Sequence, residues 1–345
     1  MTEDISKSST QKPTVGGRST WLDAVHPTVP WLLGLLLLLP LPMLLKNAYH
    51  QYLVNVIAIN VILAVGLNIV KGFAGQVTVG HIALAAIGAY TSAVVSTTLG
   101  LPFWLALPTA MLVTSLAGAI VGIPSFRLEG AYLALATLGL AESVRIVISG
   151  TESLGAAIGY GNIPPPVLGS LLLDGHRSYY YVVMPLALLG LYFSFSILSS
   201  DIGRAFKALR EDGLAAAACG VHVRKYKIIA FVLSALYAGC AGSLKAHMVP
   251  GFLNPNDYTI TEMVTILLMV VFGGLGHIWG GVIGAVLVTI INDLTQEYYE
   301  YRMAIFGLVI VLTVMFMPRG IGGMIDDYLV RRRFKAIRKA QTHAA

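Results

Sequence analysis

Long apolar runs separated by short polar connections dominate the chain between residues 31 and 316. Each run is roughly 15 to 22 residues long, close to the ~20 residues that an α-helix needs to cross the hydrocarbon core of a membrane. A membrane β-barrel would instead show short strands of alternating polarity. We therefore predict an all-α integral membrane protein, a polytopic bundle of about ten transmembrane helices, with spans at 31–45, 52–70, 76–96, 102–123, 131–148, 179–198, 226–245, 260–272, 280–294 and 302–316.

The composition supports a membrane location. Hydrophobic residues make up 56% of the chain and charged residues 12%, and the mean hydropathy is +0.76. A soluble protein could not cover its surface with so few polar side chains. The sequence predicts a polar cytoplasmic tail at 1–30, a membrane domain at 31–317 and a basic cytoplasmic tail at 318–345.

The distribution of Lys and Arg predicts the orientation of the bundle. With ten spans that start and end in the cytoplasm, most of the 23 basic residues fall on the cytoplasmic side, as the positive-inside rule requires. The exceptions are Lys46, Arg145, Arg177, Lys245 and Arg302. The net charge of +6 is then explained by contact with anionic membrane lipid, and we expect no nucleic-acid partner.

The most informative segment is the polar stretch 200–223, which lies between two predicted spans on the cytoplasmic side. Its composition favours helix but is far too charged to cross a membrane. Two interpretations are open: an amphipathic loop that lies on lipid headgroups, or a short helix that enters a groove on a partner protein. The residues we assign to this coupling loop are Gly203, Arg204, Lys207, Arg210, Glu211, Asp212, Ala215, Ala216 and Gly220.

The stretch GRAFKALREDGLAAAACGVHVRKYKIIAFVLSALYAGCAG resembles the coupling-loop signature of the LivM-type permeases of branched-chain amino-acid ABC importers. The Ala-Ala-x-x-x-Gly element of that family falls on Ala215, Ala216 and Gly220. Leu214 stands where an acidic residue usually precedes the two alanines. The stretches 66–93, 127–148 and 262–285 follow in the order of the family, so the resemblance covers roughly 66–323.

The resemblance implies a type II ABC importer-like fold in the bacterial inner membrane and a role in moving branched-chain or related hydrophobic amino acids into the cytoplasm. It also implies four partners: a homologous second permease, two cytoplasmic ATPases that hold ATP and Mg, and an extracytoplasmic solute-binding protein. The chain has no G-x-x-x-x-G-K-[ST] phosphate-binding loop, so ATP must be hydrolysed elsewhere. We expect this chain to bind no cofactor or metal and to be no enzyme.

Polar and charged residues inside the predicted spans are candidates for the translocation pathway, because such side chains usually face a bundle interior or a water-filled path. The candidates are Gln76, Thr78, His81, Thr137, Glu142, Arg145 and Glu262. Glu142 and Arg145 stand three residues apart on one helix face, and the alternative interpretation is an internal ion pair that locks two helices or reaches the outer interface. His81 and its counterpart His277 are better explained as packing hydrogen-bonders than as metal ligands, and Glu262 as a helix-capping group.

Two stretches, 77–90 and 273–286, share a Gly-His-Ile and an Ile-Gly-Ala at the same offsets. Both would enter the membrane from the cytoplasm, and both duplication and a chance match of glycine-rich sequence explain the similarity.

The functional alternatives are an ion-coupled secondary transporter of small polar or zwitterionic solutes, with Glu142 as the coupling group, and an ABC permease for urea or short amides. A membrane-embedded enzyme is disfavoured because no nucleophile, base and orienting group occur together.

Overall fold

The computed structural model describes residues 40, 42, 45, 47–168, 171–295, 307, 308, 311, 315 and 320–324. These residues are mostly helical. In chain order the α-helices are α1 Ala48–Leu67, α2 His81–Thr97, α3 Phe103–Gly122, α4 Ala131–Gly150, α5 His176–Ser199, α6 Asp201–Glu211, α7 Gly213–Ala218, α8 Val223–His247, α9 Ile260–Gly273 and α10 Ile278–Leu294.

Shorter elements complete the described part of the chain. A π-helical segment, Asn68–Phe73, continues α1, and 3-10 turns occur at Pro124–Phe126, Glu152–Leu154 and Pro255–Tyr258. Strands β1 Val167–Leu168 and β2 Leu171–Leu172 pair antiparallel in the loop before α5, with Val167 opposite Leu172.

The structure confirms the helical character of eight predicted spans. Five helical stretches are long and apolar enough to cross a membrane, and three shorter apolar helices, α2, α9 and α10, accompany them. The predicted spans at 31–45 and 302–316 lie almost entirely outside the described residues. The count of ten spans and the cytoplasmic position of both termini therefore stay predictions.

Helix α8 lies at the centre of the bundle and packs against α1, α2 and α3. Small residues permit this close packing. A Cβ atom added to Gly88 of α2 would lie 2.5 Å from the Cα atom of Gly239 in α8. Close backbone approach through small residues is a typical way for helices to associate inside a membrane, where dispersion contacts replace the hydrophobic effect.

The outer helices leave large apolar side chains uncovered. Leu112, Leu116 and Ile120 are exposed along α3, and Leu189 and Phe193 along α5. A water-soluble monomer rarely exposes continuous apolar surfaces of this kind. These surfaces fit contact with lipid or with another membrane subunit.

The two ends of the bundle differ. At one end, α6 contacts the π-helical segment and the turn between α9 and α10 through Arg210, and α7 follows α6. At the other end, the loop after α4 is tied to the loop after α8, since Tyr160 and Leu253 exchange two backbone hydrogen bonds of 2.8 Å. His247 Nδ1 also donates to the carbonyl of Pro164 at 2.7 Å. We refer to these as the coupling end and the opposite end.

Candidate functional site

The predicted coupling loop folds as two short helices with distinct N-caps. Ser200 accepts a hydrogen bond from the Ile202 amide at 3.2 Å and begins α6. Asp212 begins α7 by accepting from the amides of Leu214 and Ala215 at 2.8 and 3.0 Å. A side-chain cap satisfies amides that have no partner inside the helix. Asp212 is thus committed to the local fold of the loop.

Helix α6 is amphipathic and packs on the bundle with one face. Phe206 and Leu209 are buried, and the Phe206 ring meets the ring of Tyr226 edge-on. The predicted residues Arg204, Lys207 and Glu211 are exposed on the other face, where Arg204 pairs with Asp201. Gly203 is buried because α6 turns tightly against the end of α5, where an added Cβ would collide with the carbonyl of Leu198.

Arg210 connects α6 to the membrane helices. Its Nη1 atom donates to the carbonyl of Gly72 in the π-helical segment at 2.6 Å. A Cβ added to Gly276 would collide with the same guanidinium, and the φ of Gly276 is +81°, which favours glycine. Arg210 therefore lies where α6, the π-helical segment and the turn before α10 meet.

Helix α7 presents an apolar tip to solvent. Leu214 is 86% exposed, and Ala215, Ala217 and Ala218 beside it are also exposed, whereas Ala216 is buried against the chain. Gly220 follows α7 with a φ of +85°, and a Cβ added to it would meet no atom of the described residues within 4 Å. Leu214 is thus an exposed apolar side chain among alanines, directly after the charged helix α6. Such a side chain can insert into an apolar groove on a partner.

Asn68 joins the two helix breaks at the coupling end. The side chain is buried, its Oδ1 atom accepts from the Gly276 amide at 3.0 Å, and its Nδ2 atom donates to the carbonyl of His277 at 2.8 Å. The backbone there is irregular, so its polar groups need a partner within the protein. Gly72 allows the approach, because an added Cβ would lie 2.5 Å from the Gly276 nitrogen.

The residues between Phe73 and His81 form a non-helical entry to α2. Thr137 of α4 supports this segment by accepting from the Val79 amide at 3.0 Å. Gln76 and Thr78 are buried and bond locally: Gln76 donates to the Ala74 carbonyl, and Thr78 accepts from the Gly80 amide. These three predicted pathway residues therefore hold backbone in place.

Replacement of Thr137 by valine tests that role. Valine keeps the shape but leaves the partly buried Val79 amide without an acceptor, which costs up to about 3 kcal/mol. We expect a lower unfolding midpoint of the purified complex. Thr109→Val is the matched control, because Thr109 and Thr137 both donate to carbonyls of their own helix. Equal midpoints for the two variants would contradict the supporting role of Thr137.

His81 is a buried packing residue, in agreement with the sequence interpretation. Its Nε2 atom lies 3.1 Å from the Leu63 carbonyl and its Nδ1 atom 3.0 Å from the Ser234 hydroxyl. The carbonyl can only accept, so Nε2 donates and a neutral ring accepts from Ser234. Among the described residues, no three His, Cys, Asp or Glu side chains form a group that could hold a metal ion.

Glu142 and Arg145 form an ion pair with each other on α4. Arg145 Nε lies 3.0 and 3.1 Å from the two carboxylate oxygens. Both side chains remain partly exposed on a helix that the other described residues cover poorly. The pair therefore joins α4 to no other helix of the described ranges.

Glu262 lines a cavity of about 160 Å³ that opens at the opposite end of the bundle. Helices α1, α2, α8, α9 and α10 form its walls, together with the loop that carries Asp257 and Tyr258. Lys245 Nζ lies 3.8 Å from Asp257 Oδ2 and 4.9 Å from the centre of the Tyr258 ring. Of the predicted pathway residues, Glu262 is the one that lines this cavity.

Sequence reasoning did not single out several residues that organise these regions. Asn68 offered a signal as a polar residue in a largely apolar stretch, and Lys245, noted above only as an exception to the charge distribution, as the one Lys or Arg in the second half of an apolar helix. Lys227 is a third case. Its side chain is 5% exposed, and its Nζ atom donates to the Ser125 carbonyl at 3.0 Å and to Glu129 Oε1 at 2.7 Å. Lys227 thereby ties the start of α8 to the loop between α3 and α4.

Comparisons with known proteins place this geometry in context. The family described as "Branched-chain amino acid transport system / permease component" matches residues 50–314. The high-affinity branched-chain amino acid transport system permease protein LivM of Escherichia coli is 36% identical over 287 residues, covering 76% of this chain and 67% of the relative.

More distant relatives extend this similarity. The LivH permease protein of the E. coli high-affinity branched-chain amino acid system is 31% identical over 145 residues, or 41% of this chain and 46% of LivH. The ribose import permease protein RbsC of Haemophilus influenzae is 26% identical over 282 residues, or 75% of this chain and 81% of RbsC. No solved structure matches the chain.

Proposed function

The chain belongs to the family of permease components of branched-chain amino acid transport systems, and from this premise we propose how it carries out transport. It is a membrane permease subunit of an ABC importer and not the catalytic subunit. We infer that it receives branched-chain or related hydrophobic amino acids from a binding protein and passes them into the cytoplasm. ATP hydrolysis then belongs to two partner ATPases that dock on α6 and α7.

The observation that carries this proposal is the junction at Arg210. Helix α7 offers Leu214 to a partner, and α6 bonds through Arg210 to Gly72 beneath the membrane helices. Asn68 continues the connection to the turn before α10. A movement of the ATPases against α7 would thus reach two helix breaks through a short series of direct contacts.

The mechanism follows from which contacts can move together. Closure of the ATPases around ATP would push α6 and α7 as one unit, because Asp212 caps α7 directly at the end of α6. The π-helical segment and the turn at Gly276 would follow, since Arg210 and Asn68 hold them. Packed interfaces of this type switch between discrete arrangements. The expected outcome is exchange between outward and inward access.

A second permease subunit is part of the proposal. LivM and LivH, both relatives of this chain, are by name permease proteins of a high-affinity branched-chain amino acid system in E. coli. A partly exposed ion pair is costly when it faces lipid. Glu142 and Arg145 form such a pair on a face of α4 that the other described residues leave uncovered. This favours contact between α4 and the second permease.

Leu214→Asp tests the proposed docking of the ATPase. A leucine buried in a groove contributes about 1.5 to 3 kcal/mol, and a charge in its place adds a desolvation cost. We expect the ATPases to stop co-purifying with the permease, and ATP-dependent leucine uptake by proteoliposomes to fall at least ~10-fold. Ile158→Asp is the matched control for co-purification of the ATPases, because Ile158 is also 86% exposed but lies at the opposite end.

Co-purification of the ATPases with the Leu214 variant at the level of wild type would contradict the docking proposal. Leucine uptake that persists without the ATPases and follows an ion gradient would favour the secondary transporter. In that case Glu142→Gln should abolish uptake, whereas the importer requires no proton transfer at Glu142.

A further inference from the structure

The cavity that contains Glu262 is lined by one face of each surrounding helix. On α9 the lining residues are Glu262, Thr265, Ile266 and Met269, spaced three and four apart. Helix α1 contributes Tyr52, Val56, Ile59, Asn60 and Leu63 with the same spacing. Residues at this spacing share one side of a helix. The cavity is therefore enclosed by the packed bundle of a single chain.

Charge is concentrated at the mouth of this cavity. Lys245 lies in the last turn of α8, Asp257 in the loop that follows, and Glu262 in the first turn of α9. The side chains of Lys245 and Asp257 are 36% and 44% exposed, so the mouth is open to solvent. Their separation of 3.8 Å is long for a hydrogen-bonded ion pair. A cation and two carboxylates thus lie together at the mouth, where a zwitterion would enter.

The inner part of the cavity is apolar. Ile59, Leu63, Ile82, Ile266 and Met269 line it and are buried or nearly so. A dry cavity of about 150 Å³ admits a molecule of the size of benzene, and this cavity has a volume of about 160 Å³. The space therefore suits a branched aliphatic side chain attached to a polar head at the mouth.

Two polar atoms of the lining residues are candidates to bind a ligand. The Tyr258 hydroxyl and the Asn292 amide oxygen are buried and have no hydrogen-bond partner within the described ranges. Burial also raises the pKa of Tyr258 well above its usual value, so its hydroxyl stays protonated and can donate. Buried polar groups nearly always find a partner. A donor and an acceptor therefore remain available where an α-carboxylate and an α-ammonium group would lie.

We propose that this cavity is an amino-acid subsite within the single permease chain, an inference that rests on the proposed transport function. Lys245 receives the α-carboxylate of the substrate, and Asp257 and Glu262 face its α-ammonium group. The aliphatic side chain of the substrate enters the apolar floor beside Ile266. The subsite selects α-amino acids with branched aliphatic side chains over both larger and purely polar solutes.

The test compares uptake of leucine and alanine by proteoliposomes that contain the complete transporter and its binding protein. Ile266→Phe fills part of the floor, and we expect the ratio of leucine uptake to alanine uptake to fall about 10-fold, a typical change when a few carbon atoms no longer fit a pocket. This ratio is independent of the amount of active protein. Ile120→Phe is the matched control, because Ile120 is 66% exposed on α3 away from the cavity.

Lys245→Gln provides the second arm. Glutamine is one atom shorter than lysine and keeps a polar donor but removes the charge, so we expect the uptake of leucine and alanine to fall together, about 10-fold. An unchanged leucine-to-alanine ratio in Ile266→Phe overturns the subsite and leaves the permease function intact. A wild-type transporter that takes up no amino acid overturns both proposals.

Discussion

Arg210→Ala is expected to uncouple ATP hydrolysis from transport. The ATPases should still bind, because Leu214 and the cap at Asp212 are unchanged. The variant loses the hydrogen bond from a guanidinium to the Gly72 carbonyl, and bonds to charged groups contribute about 1.5 to 3 kcal/mol. Leucine uptake per ATP hydrolysed should therefore fall about 10- to 100-fold, as measured in proteoliposomes that contain the complete transporter.

The matched control is Arg204→Ala. Arg204 lies on the same helix and is exposed, and its carboxylate partner Asp201 is equally exposed on α6. Solvent-exposed ion pairs contribute little to stability, so uptake per ATP should stay near that of wild type. If Arg210→Ala transports leucine at the full yield per ATP, the connection through Gly72 does not carry the movement.

The positions of the membrane helices followed closely from the sequence. Predicted spans at 131–148 and 260–272 correspond to α4 Ala131–Gly150 and α9 Ile260–Gly273. Length and hydropathy determine such helices because every backbone polar group must be satisfied inside lipid. The predicted span at 76–96 was too long at its start, since α2 begins at His81. Hydropathy alone does not reveal that Thr137, a side chain of another helix, satisfies the Val79 amide.

The candidate site was predictable only in part. The coupling segment has a local signal, namely charge between two apolar runs, and it forms α6 and α7. The cavity has no local signal, because Lys245, Asp257 and Glu262 belong to three separate elements that meet only in the folded bundle. For the pair Glu142 and Arg145, the contact was predictable from the sequence but its location in the bundle was not. Its spacing predicted the contact correctly but carried no information on which surface of the bundle it occupies.

The repeated Gly-His-Ile shows how one motif can serve two different local needs. In the first copy, His81 is the first residue of α2 and bonds to Leu63 and Ser234. In the second copy, His277 directly precedes α10, and its carbonyl accepts from Asn68. A helix thus begins at the histidine of the first copy and one residue after the histidine of the second copy. Duplication and chance similarity stay open as explanations of the sequence match.

Asn68→Leu should be the most destabilising of these substitutions. Leucine fills a similar volume but leaves the Gly276 amide and the His277 carbonyl without the partners they have now. A buried group without a partner costs about 1 to 3 kcal/mol; these two groups are partly buried, so the variant should lose at least about 2 kcal/mol and at most about 6 kcal/mol. The unfolding midpoint of the purified permease complex should fall by at least ~5 °C.

Two further variants separate the loss of these bonds from a general effect of replacing asparagine. Asn256→Leu lies on the exposed 3-10 turn and should leave the midpoint unchanged within error. Asn68→Asp keeps the acceptor for the Gly276 amide but directs a carboxylate oxygen toward the His277 carbonyl, so repulsion should make it at least as unstable as Asn68→Leu. If both Asn68 variants unfold at the wild-type midpoint, the turn before α10 does not depend on Asn68. The connection from Arg210 to that turn would then depend on the packing of its guanidinium against Gly276.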